Sequence, residues 1–201
     1  MDWHYLYFMC GNMSRFDNRD ISTFKKDIKF GTKLEKYFAH KWAKIAGATR
    51  IVDNGADNTG AFIASGKTSG ADYLVDYGEY KNLPLEIKWV PNYGKLTMKV
   101  GDLEGYIKEK AAILFIYNSL NHGLDLRKPI DYNLDTHVEK IECIAHQLKW
   151  GIMYPDKVKS FLETHRKASL IQKISYMGGK PGIILKQDQF HNWFEENNWS
   201  V

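Results

Sequence analysis

Apolar and polar positions alternate most clearly between Gly70 and Trp89, and the alternation predicts strand, turn, strand. Turn formers between Gly78 and Asn82 separate the two runs. A side-chain period of two sets Leu85, Ile87 and Trp89 on one face of the second run and Glu86 and Lys88 on the other. Elsewhere the period lengthens. Leu34, Phe38, Trp42 and Ile45 trace one face of a helix that opens at Gly31, with Thr32 as N-cap and Gly47 as its end. Lys95, Thr97 and Lys99 alternate with Leu96, Met98 and Val100, as in a half-buried strand or an extended arm. Asp102 is placed to cap a helix to about Lys110, with Leu103, Tyr106 and Ile107 inward. The unbroken apolar run Ala111 to Tyr117 predicts a strand covered on both faces.

The two ends of the chain are organised differently. Trp3 to Cys10 is aromatic and apolar, a short strand or a docking segment. Beyond Ser119 comes a polar loop with Pro129, then Thr136 and Glu139 in capping-box spacing. They predict a helix to about Lys149 with Val138, Ile141, Ala145 and Leu148 as its buried stripe. Pro155 and Asp156 begin a further helix whose later part carries His165, Arg166 and Lys167. Gly178 to Gly182 is a tight turn, followed by the strand Ile183 to Leu185 and an amphipathic helix near Gln189 to Glu196, packed through Phe190, Trp193 and Phe194. No internal repeat or disordered linker interrupts the chain.

Length and composition bound this picture. The 201 residues suit one domain with a full hydrophobic core, and 28 Lys and Arg against 24 Asp and Glu give a net charge of +4. That excess permits a polyanionic partner without demonstrating one. Cys10 and Cys143 provide neither a disulfide framework nor a metal spacing, and His137 and Cys143 fall on different faces of their helix. With no signal peptide and no apolar run of membrane-spanning length, the expectation is a soluble intracellular protein with no membrane partner.

The chemistry concentrates on the charged face of the 85–89 run. Burying a carboxylate and an ammonium is costly unless they pair or bind a metal. With the turn centred near Tyr80, antiparallel pairing sets Asp72 opposite Lys88 and diagonal to Glu86, and leaves Asp76 opposite Pro84. Two carboxylates converging with a lysine suit magnesium, which takes oxygen ligands and keeps several waters. A cross-strand salt bridge is the competing structural use. Ala61 to Thr68 fits a relaxed phosphate-loop pattern, but its strand-like residues fall inside the supposed loop and β-rich sequence comes next. It reads better as a turn leading into Asp72.

Asp72, followed on the next strand by Glu86, Ile87 and Lys88, resembles the signature of the PD-(D/E)XK nuclease superfamily. Ala71 stands where the family's proline would be. A helix carrying Glu35 before the motif, and a helix and an apolar strand after it, extend the resemblance over roughly residues 24 to 120. The resemblance implies a restriction-endonuclease-like α/β core, a mixed central β-sheet flanked by α-helices; residues 121–201, which lie outside it, read as a helical elaboration that offers material for DNA recognition or dimerisation. It implies Asp72 and Glu86, with the Ile87 carbonyl, as ligands of Mg2+, or of Mn2+ in its place, and Lys88 as the residue that orients or deprotonates water. Glu35 either caps its helix or faces the metal, and one carboxylate cannot serve both. DNA is the implied partner, with Lys67, Lys95, Lys99, Arg166 and Lys167 as candidate phosphate contacts. A homodimer would suit cutting of both strands. The implied activity is endonucleolytic, of a sequence-specific restriction or homing type, with a junction resolvase or exonuclease as the alternative; a non-catalytic nucleic-acid-binding protein is the competing class.

Overall fold

A computed structural model describes residues 20–54, 71–90, 95–119, 131–175 and 178–199 of the chain. The expectations for Trp3 to Cys10, for Ala61 to Thr68 with Lys67, and for the Pro129 loop lie outside the described residues.

The first helix, α1, spans Ile21–Ala46 and begins ten residues before the predicted start. Asp20 caps it, accepting from the Thr23 backbone N–H at 2.9 Å and the Thr23 hydroxyl at 2.6 Å. Thr32 is therefore no cap; its hydroxyl donates to the Ile28 carbonyl one turn back, at 3.1 Å. Leu34, Phe38 and Trp42 of the expected stripe are buried and Ile45 is partly buried, and Gly47 closes the helix in the left-handed region at φ 72°.

Strands β1 (Arg50–Asp53), β2 (Tyr73–Tyr77) and β3 (Tyr80–Val90) form an antiparallel meander. Gly78, at φ 57°, supplies the left-handed residue that the two-residue turn between β2 and β3 needs. Strand β4 (Lys95–Lys99) leaves this sheet, and α2 (Val100–Glu109) returns the chain to β5 (Ala112–Asn118), which runs parallel to β3 from Leu85 onward. Pro84, which cannot donate, lies just outside that parallel ladder. Asp102 stands in the first turn of α2, while Lys99 occupies the cap position.

The rest of the chain is not the helical elaboration expected. Helix α3 stops early (Leu134–Glu142), capped by Asn133 rather than Thr136. Leu148, assigned by spacing to a helical stripe, instead opens strand β6 (Leu148–Met153), antiparallel to β5. Ile141, Ala145 and Leu148 match a helical period, but from Leu148 alternate side chains face opposite sides of the sheet. Leu148 and Trp150 join the core under α1, and Met153 joins the opposite one. Helix α4 (Pro155–Lys167) comes next, as predicted, then β7 (Gln172–Ile174) and β8 (Lys180–Lys186). A 3-10 helix (Gln187–Asn192) replaces the longer terminal helix, and β9 (Asn197–Asn198) pairs with β6.

Among the described residues the architecture is thus α/β, with a mixed central sheet ordered β1-β2-β3-β5-β6-β9 and flanked by helices. A second sheet, β4-β8-β7, covers part of one face. The β5 side chains divide between two cores. Ala112, Leu114 and Ile116 pack toward α1, while Ile113, Phe115 and Tyr117 meet Leu103 of α2, Phe161 of α4 and Ile183 of β8. Phe190 and Phe194 close the second core, Phe194 stacking on Phe115 with ring centroids 5.0 Å apart. No described helix is long and apolar enough to cross a membrane.

Gly151 is the tightest point of that closure. It faces Phe115 across the strand pair, and a Cβ there would fall inside the Phe194 ring. Gly151→Ala is expected to cost roughly 1–3 kcal/mol in chemical denaturation through overpacking. Adding Phe194→Leu should recover part of the loss, and simple additivity of the two substitutions would contradict the contact.

Candidate functional site

Strand β3 carries two kinds of side chain because its two faces meet different surroundings. Leu85 and Ile87 pack under α1, whereas Glu86 and Lys88 point the other way, toward α2. Glu86 is only 8% exposed. Its Oε1 accepts from the Lys88 ammonium and, at 2.7 Å, from the Tyr106 hydroxyl of α2. The Lys88 Nζ lies 5.6 Å from the centre of the Tyr106 ring. The Lys88 side chain is 30% exposed against 10% for Glu86, so it is the more open member of the pair.

Asp72 immediately precedes β2. Tyr73 pairs with Leu85, Leu74 with Pro84 and Val75 with Leu83, so the same register carries Asp72 across from Glu86. The sequence expectation set it opposite Lys88. The turn lies at Gly78 and Glu79, with Tyr77 opposite Tyr80, which alone would set Asp72 opposite Leu85; the irregularity between Val75 and Tyr77 moves the partner one residue on, to Glu86, a net displacement of two from Lys88. An even displacement preserves the facing. Asp72 thus stays on the Glu86 side, and its Oδ2 accepts from the Ile87 backbone N–H at 2.9 Å. Asp76 is opposite Arg50, not Pro84, and accepts from the Asn82 N–H at 2.8 Å, away from the cluster.

Glu35 lies mid-helix and half-buried, which removes the capping use that competed for its carboxylate. Burial first, then the charge of Glu86, pushes the Asp72 carboxyl up to about 8. The Ile87 N–H opposes this, the Glu35 charge adds to it, and Lys88 offsets a little. Burial works against the Lys88 charge, but Glu86 outweighs it and, with Tyr106, holds the lysine well above its ordinary value. Lys88 is therefore an ammonium at neutral pH, suited to orienting a ligand or neutralising negative charge rather than to taking a proton. Tyr73, buried at the start of β2, feels Asp53, Asp72 and Glu35, and its hydroxyl has no hydrogen-bond partner among the described residues.

No group of three or more His, Cys, Asp or Glu among the described residues is gathered closely enough to hold a metal. The donor chemistry of the acid pair nevertheless fits magnesium, which is commonly bound through one or two carboxylates plus water. Burial and the repulsion of Glu86 hold Asp72 protonated, and a divalent cation between the two carboxylates would relieve that repulsion.

The candidate phosphate contacts do not form one group. Lys95 is exposed on β4, and Lys99 reaches Asp102 at 3.6 Å. Arg166 is bonded to Glu104, tying α4 to α2 beside the exposed Lys167. His165 is buried, with Nδ1 2.8 Å from the Phe161 carbonyl, so it does not join that basic set. Tyr106 is the participant that the sequence reading missed. Its position on the inward stripe was legible, and a buried tyrosine hydroxyl usually finds a polar partner, but the partner belongs to another element.

No protein-family model, no curated protein and no solved structure matches the chain.

The raised Asp72 pKa fixes a pH dependence. The native carboxyl keeps its proton up to about 8, while the unfolded one loses it near the ordinary value of 3.8. Its contribution to stability is thus fully present below about 4 and is lost as the pH rises through about 8. Thermal melts of the metal-free protein should show Tm falling across this interval, and Asp72→Asn should flatten the fall. An unchanged slope in the variant would rule out Asp72 as its source.

Proposed function

We propose that the chain is a metal-dependent deoxyribonuclease of the PD-(D/E)XK type, hydrolysing phosphodiester bonds in DNA. The observation that carries this reading is the apposition of Asp72 and Glu86, with Lys88 one strand period further along the same face. Element order supports it as well: α1, the meander β1 to β3, α2, then β5 parallel to β3 is the succession expected of a restriction-endonuclease-like core.

Asp72 and Glu86, with the Ile87 carbonyl, would hold Mg2+ or Mn2+. A bound divalent ion supplies Lewis acidity toward the scissile phosphate and lowers the pKa of bound water. Lys88, protonated through its pairing with Glu86, stands as the group that meets the phosphate charge or orients the water. Tyr106 holds Glu86 in line by its hydroxyl and Lys88 by its ring. Glu35 adds negative charge beside Asp72 and favours the cation. Within this class we favour an endonuclease of restriction or homing type, working as a homodimer, over a junction resolvase or an exonuclease.

A second reading has its own observation. The contact among Glu86, Lys88 and Tyr106 is also what a structural ion pair would make, and the chain would then be a non-catalytic nucleic-acid-binding protein.

Plasmid nicking by purified protein separates the two. Magnesium-dependent cutting is expected, abolished by chelator and reduced about 10²–10³-fold by Lys88→Ala or Asp72→Asn. Full activity in Lys88→Ala would remove Lys88 from the chemistry, and no cutting together with no calorimetric magnesium binding would leave the structural reading. Discrete fragments would favour a restriction or homing enzyme, and preference for branched DNA a resolvase. Tyr106→Phe, which keeps the ring and loses the hydroxyl, should lower kcat about tenfold with KM little changed.

A further inference from the structure

We propose that the outer face of the β4-β8-β7 sheet is a binding surface for the phosphate backbone of duplex DNA; the choice of DNA among polyanions rests on the nuclease reading. Leu96 and Met98 of β4 and Ile183 and Leu185 of β8 are buried in the core. The residues between them face away. On that outer face Lys95 is the direct cross-strand partner of Lys186, and Lys99 pairs in register with Gly182. Lys180 joins the same face opposite Ile174.

Like charges directly opposite one another destabilise a sheet. Some cations elsewhere are paired, Lys36 with Asp53, Lys41 with Glu142 and Arg166 with Glu104, but none of these sets one lysine directly opposite another. The three strands of this sheet contain no Asp or Glu. Among the described residues Lys95, Lys180 and Lys186 enter no ion pair, and Lys99 reaches only Asp102, at 3.6 Å. Lysines on edge strands can guard against edge-to-edge pairing. Lys186 has β4 alone beside it and Lys180 has β7 alone, so that use is open to both, but guarding an edge does not call for setting Lys186 directly opposite Lys95.

Ile174, opposite Lys180, is buried and lies over Gly182, so the open part of this face is the side that carries Lys95 and Lys186. Lys95 and Lys99 are about 13 Å apart along the strand, a length over which a duplex presents several phosphates. A lipid surface fits less well. The large exposed apolar residues among those described, Tyr132 and Leu170, lie outside these strands, so nothing there would enter a bilayer. The face is also joined to the acid pair: Lys99 leads into α2, which carries Tyr106 to Glu86.

The test is binding of a fluorescently labelled duplex in chelator, so that no cutting intervenes, titrated over salt. Wild type should bind with a steep salt dependence. Lys95→Gln with Lys186→Gln should weaken binding roughly tenfold or more at about 0.1 M salt and reduce the slope of log K against log salt by about 1.8. The same double variant should melt at an equal or higher temperature, because it loses a repulsive pair, and Lys157→Gln with Lys159→Gln on α4 should bind as wild type. No duplex binding by wild type, unchanged affinity and slope in the double variant, or loss only of binding to phosphatidylserine vesicles would each overturn the proposal. Binding without magnesium-dependent cutting would instead sink the nuclease reading and leave this surface standing.

Discussion

Strand β3 must satisfy two incompatible surroundings at once, and the rest of the protein is arranged around that constraint. It pairs antiparallel with β2 on one side and parallel with β5 on the other, so its backbone is interior for much of its length. On one face Leu85 and Ile87 have α1 to cover them. On the other, Glu86 and Lys88 bring charge into a region bounded by α2. A lone buried carboxylate would be prohibitive, and a pair is tolerable only with further hydrogen bonds. The Tyr106 hydroxyl provides one, so α2 is as much a part of the charged face as β3 is.

Asp72 enters this arrangement at a cost that the metal-free protein absorbs by protonation. Its Oδ2 takes the Ile87 N–H, which stabilises the charged form, yet burial and the nearby carboxylates outweigh that single bond. Three acids lie within electrostatic reach of one another, with one lysine committed to one of them. The convergence of these acids is what the proposed cation would take up, Asp72 being held protonated in its absence.

The second half of the chain serves the first by closing it. Strand β6 extends the central sheet beyond β5, α4 packs beside α2, and β8 brings Ile183 and Leu185 against the same core. Gly151 allows the Phe194 ring to lie against β6, and Phe194 in turn stacks on Phe115 of β5. Because β5 neighbours β3, packing in this late part of the chain bears on the strand that holds Glu86 and Lys88. The outer side of the second sheet sets Lys95 directly opposite Lys186, with no Asp or Glu on its three strands.

Much of this was legible from residue order. Alternation on 85–89 assigned Leu85 and Ile87 to one face and Glu86 and Lys88 to the other, because a strand's period of two is local and independent of its neighbours. The continuous run Ala111 to Tyr117 likewise announced a strand covered on both sides, and the α1 stripe announced its buried face. Boundaries fared worse: Asp20 rather than Thr32 caps α1, since several polar residues can offer a cap and the preceding turn decides among them. Strand β6 was hidden because Ile141, Ala145 and Leu148 fit a helical period, and only a place beside β5 makes residues 148–153 a strand. The apposition of Asp72 with Glu86, the protonation of Asp72, the Tyr106 bond and the facing of Lys95 with Lys186 were all decided by tertiary structure. Each depends on register or on a contact between elements distant in sequence, and a side-chain pattern along one chain segment carries neither.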